Sequence, residues 1–111
     1  MSVEGVWAIE VHGAYDWESR GVLTLENGHA FGGGDRHYSI GSYSLSEGKL
    51  RIETAIHYFG EPRTVFGERR ADYTVVIQGE TEDGRVAGIM SRPDRPQFRL
   101  DVRMTRMLDL H

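Results

Sequence analysis

The sequence predicts an all-β protein: an eight-stranded, up-and-down antiparallel barrel. Three observations predict it. Short runs of alternating apolar and polar residues recur at regular spacing along the whole chain, which is the mark of half-buried strands. Hairpin-length turn signals, led by Asn27-Gly28 and Asp83-Gly84, separate them. No stretch carries the 3.6-residue periodicity of a long helix. Local connections favour a meander, and closing that meander removes exposed edges.

The stretch from Gly21 to Ile52 organises the rest. Leu23 and Leu25 alternate with Val22, Thr24 and Glu26, and Asn27-Gly28 follows directly. This dipeptide tolerates the positive φ values of a type I′ turn. A short return strand, His29 to Phe31, runs into Gly32-Gly33-Gly34-Asp35. Glycines in a strand context predict a bulge, a bend or a close approach of two backbones. A long strand follows from about Arg36 to Leu45, then the turn Ser46-Glu47-Gly48-Lys49, then a strand from Leu50 to Tyr58.

Around this core of hairpins the remaining elements fall into order. The first strand spans Val3 to His12, with Gly5, Trp7, Ile9 and Val11 on the inward face. Gly13 to Glu18 reads as a loop carrying Tyr15 and Trp17, and the second strand as Ser19 to Glu26. In the fourth strand either Tyr38, Ile40 and Ser42 or Gly41, Tyr43 and Leu45 face inward, and a bulge near Gly41 would switch the two. The fifth strand is cleaner, with Leu50, Ile52, Thr54, Ile56 and Tyr58 on one face. Phe59 to Gly67 is the longest connection. The sixth strand spans about Glu68 to Gln78, with Tyr73, Val75 and Ile77 on one face. Gly79 to Gly84 reads as an acidic turn, Arg85 to Ser91 as the seventh strand and Arg92 to Pro96 as a stiff turn. The eighth strand, Gln97 to Met107, places Phe98, Leu100, Val102 and Met104 opposite Arg99, Asp101, Arg103 and Thr105.

Composition bounds the function. With 111 residues the chain is a single domain. The formal charge of −4 and the single lysine, Lys49, disfavour nucleic acid and anionic lipid as partners. The charge is uneven, because six of the 13 basic residues fall after residue 83. The absence of cysteine removes disulfides and thiol catalysis and fits a reducing compartment. The first residues show no basic leader with an apolar core, and no run approaches ~18 apolar residues, so a cytoplasmic protein that does not span a membrane is expected.

The chemistry-bearing residues point away from an enzyme, and no cofactor or metal is expected. Gly32-Gly33-Gly34-Asp35 lacks the following helix and the Gly-Lys-Ser/Thr of a phosphate loop. His29, Asp35 and His37 match no metal-ligand spacing. Asp35, His37 and Ser39 are too close in sequence to converge as a triad. Glu53 and His57 share an outer, solvated face. The inward set is of more interest: Trp7, Ile9, Leu23, Leu25, Ile52, Ile56, Tyr73, Val75, Phe98, Leu100 and Val102. Either it is a filled core or it lines an apolar cavity for a small ligand. Tyr15, Trp17, Phe59 and Phe66, in predicted loops, either plug the barrel ends or anchor a partner. The acidic Glu80, Glu82 and Asp83 and the basic Arg99 and Arg103 are the first candidate contact strips.

Taken together, Glu4-Gly5-Val6-Trp7, Gly21 to Leu25, Asn27-Gly28, Gly33-Gly34-Asp35, Tyr38, Gly41, Tyr43, Leu50 and Val65-Phe66-Gly67 resemble the GrlR-like family. Those are small lipocalin-like proteins named for a negative regulator of type III secretion genes. The resemblance covers roughly residues 4–107 and rests on turns and glycines. It implies a calycin-like barrel, a homodimer and regulation by contact with a protein partner. In the named regulator a loop of four alternating acidic residues meets a transcription activator; here that place reads Ser46-Glu47-Gly48-Lys49.

Overall fold

The computed structural model describes residues 3–12, 17–34, 37–60 and 72–109, with side chains throughout except at 17–20 and 98. Eight antiparallel strands follow one another: β1 (Gly5–His12), β2 (Trp17–Glu26), β3 (His29–Gly33), β4 (His37–Ser46), β5 (Lys49–Tyr58), β6 (Asp72–Glu82), β7 (Arg85–Arg92) and β8 (Arg95–Asp109). Each pairs with its neighbour in sequence, and β8 returns to pair with β1, closing the barrel. No helix among the described residues is long and apolar enough to cross a membrane.

Three tight turns define one end of the barrel, called here the tail end. Asn27-Gly28, Glu47-Gly48 and Asp83-Gly84 have φ values of 52° and 80°, 54° and 78°, and 51° and 73°. Positive φ at both central positions is the type I′ signature, whose twist matches that of the flanking strands. Glycine at each second position takes this conformation without a Cβ penalty. The turns are also tied to the next hairpin. The carbonyls of Gly28, Gly48 and Gly84 accept the N–H groups of Tyr43, Thr81 and Arg106 at 3.0, 3.0 and 2.8 Å. Asn27 N–H donates to Glu4 Oε2 at 2.6 Å, which joins β1 to the ring of turns.

Side-chain alternation divides inside from outside. Trp7, Val11, Leu23, Leu25, Ala30, Leu50, Ile52, Ile56, Val75, Ile77, Val86, Met90, Val102 and Met104 form one buried cluster with Val3. Trp7 anchors its tail half. It is 1% exposed, its indole Nε1 donates to the Val3 carbonyl at 2.9 Å, and the Arg106 guanidinium stacks 4.9 Å from its ring. Burial of so large a side chain, with its one polar atom satisfied, contributes strongly to the packing of a small core.

The structure differs from expectation at several places. β4 carries no bulge: it pairs with β5 without a register shift, and Ser39, Gly41, Tyr43 and Leu45 face inward. Gly41 serves close approach instead, since a Cβ there would collide with the Glu53 carbonyl oxygen. Likewise Gly32 and Gly33 sit in regular pairs, and a Cβ on Gly32 would strike the Val22 carbonyl. Trp17 is not in a loop but opens β2, paired with His12 across a register shift. Glu80 and Glu82 lie in strand β6 and not in a turn. A two-residue turn at Asp83-Gly84 obliges Glu82 and Arg85 to pair, which extends both strands to the tip. β8 is longer than expected at both ends because it must ladder with β7 and β1. Tyr15, Asp35 and Phe66 lie outside the described residues.

Replacing Trp7 by Ala should cost about 3–5 kcal/mol of stability. Urea unfolding followed by circular dichroism measures it; a loss under ~1 kcal/mol would show that Trp7 is not the anchor of the tail half.

Candidate functional site

The other end, called here the head end, collects His12, Trp17, Gly33, His37, Tyr58, Asp72, Arg92 and Arg95 at its strand termini. A cavity of about 50 Å³ is lined by His37 and Ser39 of β4, Thr54, Ile56 and Tyr58 of β5, and Tyr73, Val75 and Ile77 of β6. Ile9, Val11, Leu23 and Met90 complete the wall. The reason is side-chain volume. The tail half is filled by Trp7, Leu25, Leu50 and Ile52, whereas Gly21, Gly33, Ser39 and Thr54 contribute little bulk higher up.

Strand register brings the polar members together. His37 pairs with Tyr58, Ser39 with Ile56, Gly41 with Thr54, and Ile56 with Tyr73. The His37 and Tyr58 rings lie 5.5 Å apart and the Tyr58 and Tyr73 rings 6.2 Å apart. The two tyrosine hydroxyls share a hydrogen bond of 3.3 Å. Ser39 and Thr54 are 7% and 3% exposed. One side of the cavity is thus a stack of hydroxyls and an imidazole, and the other is aliphatic.

Burial keeps the Tyr73 hydroxyl of this wall neutral. Burial drives the Tyr73 hydroxyl pKa well above the ordinary tyrosine value of 10.0; Tyr58 raises it further through the hydrogen bond, and Arg92 opposes the rise. Arg92 is itself 1% exposed, with its guanidinium 5.6 Å from the Tyr73 ring. Its Nε and one terminal nitrogen donate to the two carboxylate oxygens of Asp94 at 3.1 and 2.7 Å. A bidentate pair of this kind balances a buried charge across the turn between β7 and β8. Among the described residues no carboxylate lines the cavity, and the serine, threonine and tyrosine hydroxyls offer neutral hydrogen-bonding groups to an occupant.

The outer surface carries two further features. Val22, Phe31, Tyr38 and Ile40 are large apolar side chains, 42–58% exposed, on the outward face of β2, β3 and β4. Register makes them neighbours. Val22 pairs with Gly33, Gly33 with Tyr38 and Tyr38 with His57; Thr24 pairs with Phe31, Phe31 with Ile40 and Ile40 with Ala55. No acidic or basic residue stands among these positions apart from His57, whose ring stacks on Tyr38 at 5.1 Å and bonds Asp72 at 2.7 Å. The second feature is a depression over β6, β7 and β8 that gathers Glu80, Glu82, Asp83, Arg85 and Arg103 with Glu10.

Of the interior residues singled out in the sequence, Ile9, Leu23, Ile56, Tyr73 and Val75 line the cavity. Trp7, Leu25, Ile52 and Val102 are buried in the core, and Leu100 packs against it half-buried. The side chain of Phe98 lies outside the description. His29 opens β3 at the tail end and His37 opens β4 at the head end, so the two do not converge. Of the contact candidates, Arg103 joins Glu80, Glu82 and Asp83, and it pairs loosely with Glu10 at 3.8 Å. Arg99 lies nearer the head end, where its Nε donates to the Pro96 carbonyl at 3.4 Å. Phe59, just past β5, is 67% exposed. His57 is not merely solvated, since it bonds Asp72, and Glu53 pairs with Arg51 at 3.2 Å. Sequence reasoning missed His37, Ser39 and Thr54 as members of this polar wall. Thr54 and Tyr58 shared the inward parity of the fifth strand, but the matching face of the fourth was undecided.

Among the described residues, fold and site define an eight-stranded up-and-down barrel, packed at the tail end and holding a cavity toward the head end, with an apolar patch on the outside of β2, β3 and β4. No protein-family model and no curated protein matches the chain.

The neutral Tyr73 makes a pH prediction. The unfolded chain releases this proton near pH 10 and the folded protein retains it, so its contribution to stability is complete below pH 10 and declines above it. Between pH 10 and 12 the wild-type protein should lose stability more steeply than Tyr73→Phe, by about one proton's dependence. Denaturant midpoints across that range measure this, and parallel slopes would show that Tyr73 ionises normally in the fold.

Proposed function

We propose that the protein is a non-enzymatic, cytoplasmic interaction module, and that the apolar outer face of β2, β3 and β4 holds a second copy of the chain. The observation that carries this is the cluster of Val22, Phe31, Tyr38 and Ile40, exposed in adjacent register. Large apolar side chains grouped on a surface mark interaction sites, whereas single ones are ordinary. A two-fold contact places the same patch on both sides of the interface. An uncharged face suits that contact, because two copies that each carry a net charge of −4 repel through their other faces. The homodimer and the regulatory role implied by the GrlR-like resemblance fit this scheme. Regulation then works by occlusion: the rigid barrel covers a partner protein's surface. The depression with Glu80, Glu82 and Asp83 is the patch offered to a basic partner segment.

Light scattering on the eluting protein should give a dimer mass. Phe31→Glu and Ile40→Glu, at positions already exposed in the monomer, should each give a folded monomer with an unchanged circular dichroism spectrum. A wild-type monomer at every concentration, or dimers that survive both substitutions, would count against this face.

A further inference from the structure

Two hydroxyls in the head-end cavity stand out. Ser39 and Thr54 are each more than nine-tenths buried, and neither side chain has a hydrogen-bond partner among the described residues. Neither hydroxyl oxygen is a fully buried, unpartnered atom, so both stay open to the space of the cavity that the two residues line. The tyrosines of the same wall have their own bond, which leaves Ser39 and Thr54 to face whatever enters.

We propose that this cavity is a binding site for a small uncharged organic molecule with a single hydrogen-bonding group on an apolar body, of the size of a short-chain alcohol or primary amide. The polar group meets Ser39 and Thr54, which can both donate and accept. The apolar body lies against Val75 and Met90. Charge selects against ions: among the described residues no carboxylate, lysine or arginine lines the space, the His37 imidazole is its one basic group, and the nearby Arg92 is held by Asp94. An ion would leave water with no counter-charge, whereas a neutral group loses little. Size selects against lipids. About 50 Å³ compares with ~30 Å³ for one water in the liquid and roughly 300–1,000 Å³ for pockets that take drug-sized ligands. The inference is independent of the dimer, because the cavity lies inside one barrel.

The test uses 1-propanol as the probe, titrated into the full chain with methyl and amide signals followed by NMR. The expected result is a saturable shift at Thr54, Val75 and Met90 with millimolar affinity, as befits so few atoms. Thr54→Val, which keeps the shape and removes the hydroxyl, should weaken binding roughly 10-fold. Ser39→Ala should do the same, and it gives the same readout if the first variant fails to fold. Ile40→Glu should bind as the wild type does, whichever oligomer it forms, so loss of the dimer and loss of the site can be told apart. Linear shifts without saturation, or equal affinity in wild type and both hydroxyl variants, would overturn the proposal. So would water signals at Thr54 that persist at saturating propanol, because ordered water would then be the occupant.

Discussion

Closure of the sheet by the β1–β8 ladder is the constraint on which the other features depend. Once Val6, Trp7 and Ile9 pair with Leu108, Arg106 and Met104, the number of strands and the interior volume are fixed together. Every strand must then point alternate side chains into one shared space. A one-residue slip anywhere would turn a set of apolar side chains out into solvent. The tail-end turns guard against this. Each glycine carbonyl at a hairpin tip is bonded to the following hairpin, so the register of one pair is checked by the next.

A fixed interior has to be filled by particular side chains, and the two ends of this barrel are filled differently. Toward the tail, Trp7, Leu25, Leu50 and Ile52 occupy the lumen, and Arg106 packs beneath the indole. Toward the head, smaller and more polar residues face in, and the aliphatic lining gives way to His37, Ser39, Thr54, Tyr58 and Tyr73. The filled half supplies the apolar burial that a chain of this length needs. The hollow half rests on that support and tolerates buried polar groups. Arg92 and Asp94 extend the polar region to the barrel wall without leaving a net buried charge.

The outer surface shows a similar division. Most outward positions of β5 to β8 carry charged or polar groups, such as Arg51, Glu53, Gln78, Arg85, Asp101 and Arg103. The outward positions of β2 to β4 carry Val22, Phe31, Tyr38 and Ile40. β3 has only five residues, so its two neighbours set most of that face. The apolar side chains of three strands thus become one surface only because β3 pairs Thr24 with Phe31 on one edge and Phe31 with Ile40 on the other.

The sequence by itself determined the number of strands, the tight turns and most inward faces. These depend on alternation and on turn residues with positive φ, and both are local properties of the chain. It did not settle the inward face of the fourth strand. There the alternation Tyr38, Ile40, Ser42 against Ser39, Gly41, Tyr43 is nearly balanced in hydrophobicity, and the choice belongs to the partners. Pairing β4 with β5 places Gly41 against Thr54, where only glycine avoids the Glu53 carbonyl, and this turns Ser39 inward. The same pairing gathers the hydroxyls of three strands around one cavity and sends Tyr38 and Ile40 to the outer face. Both candidate sites are therefore decisions of tertiary structure. Their residues lie far apart in the chain, and only the register of a closed sheet makes them neighbours.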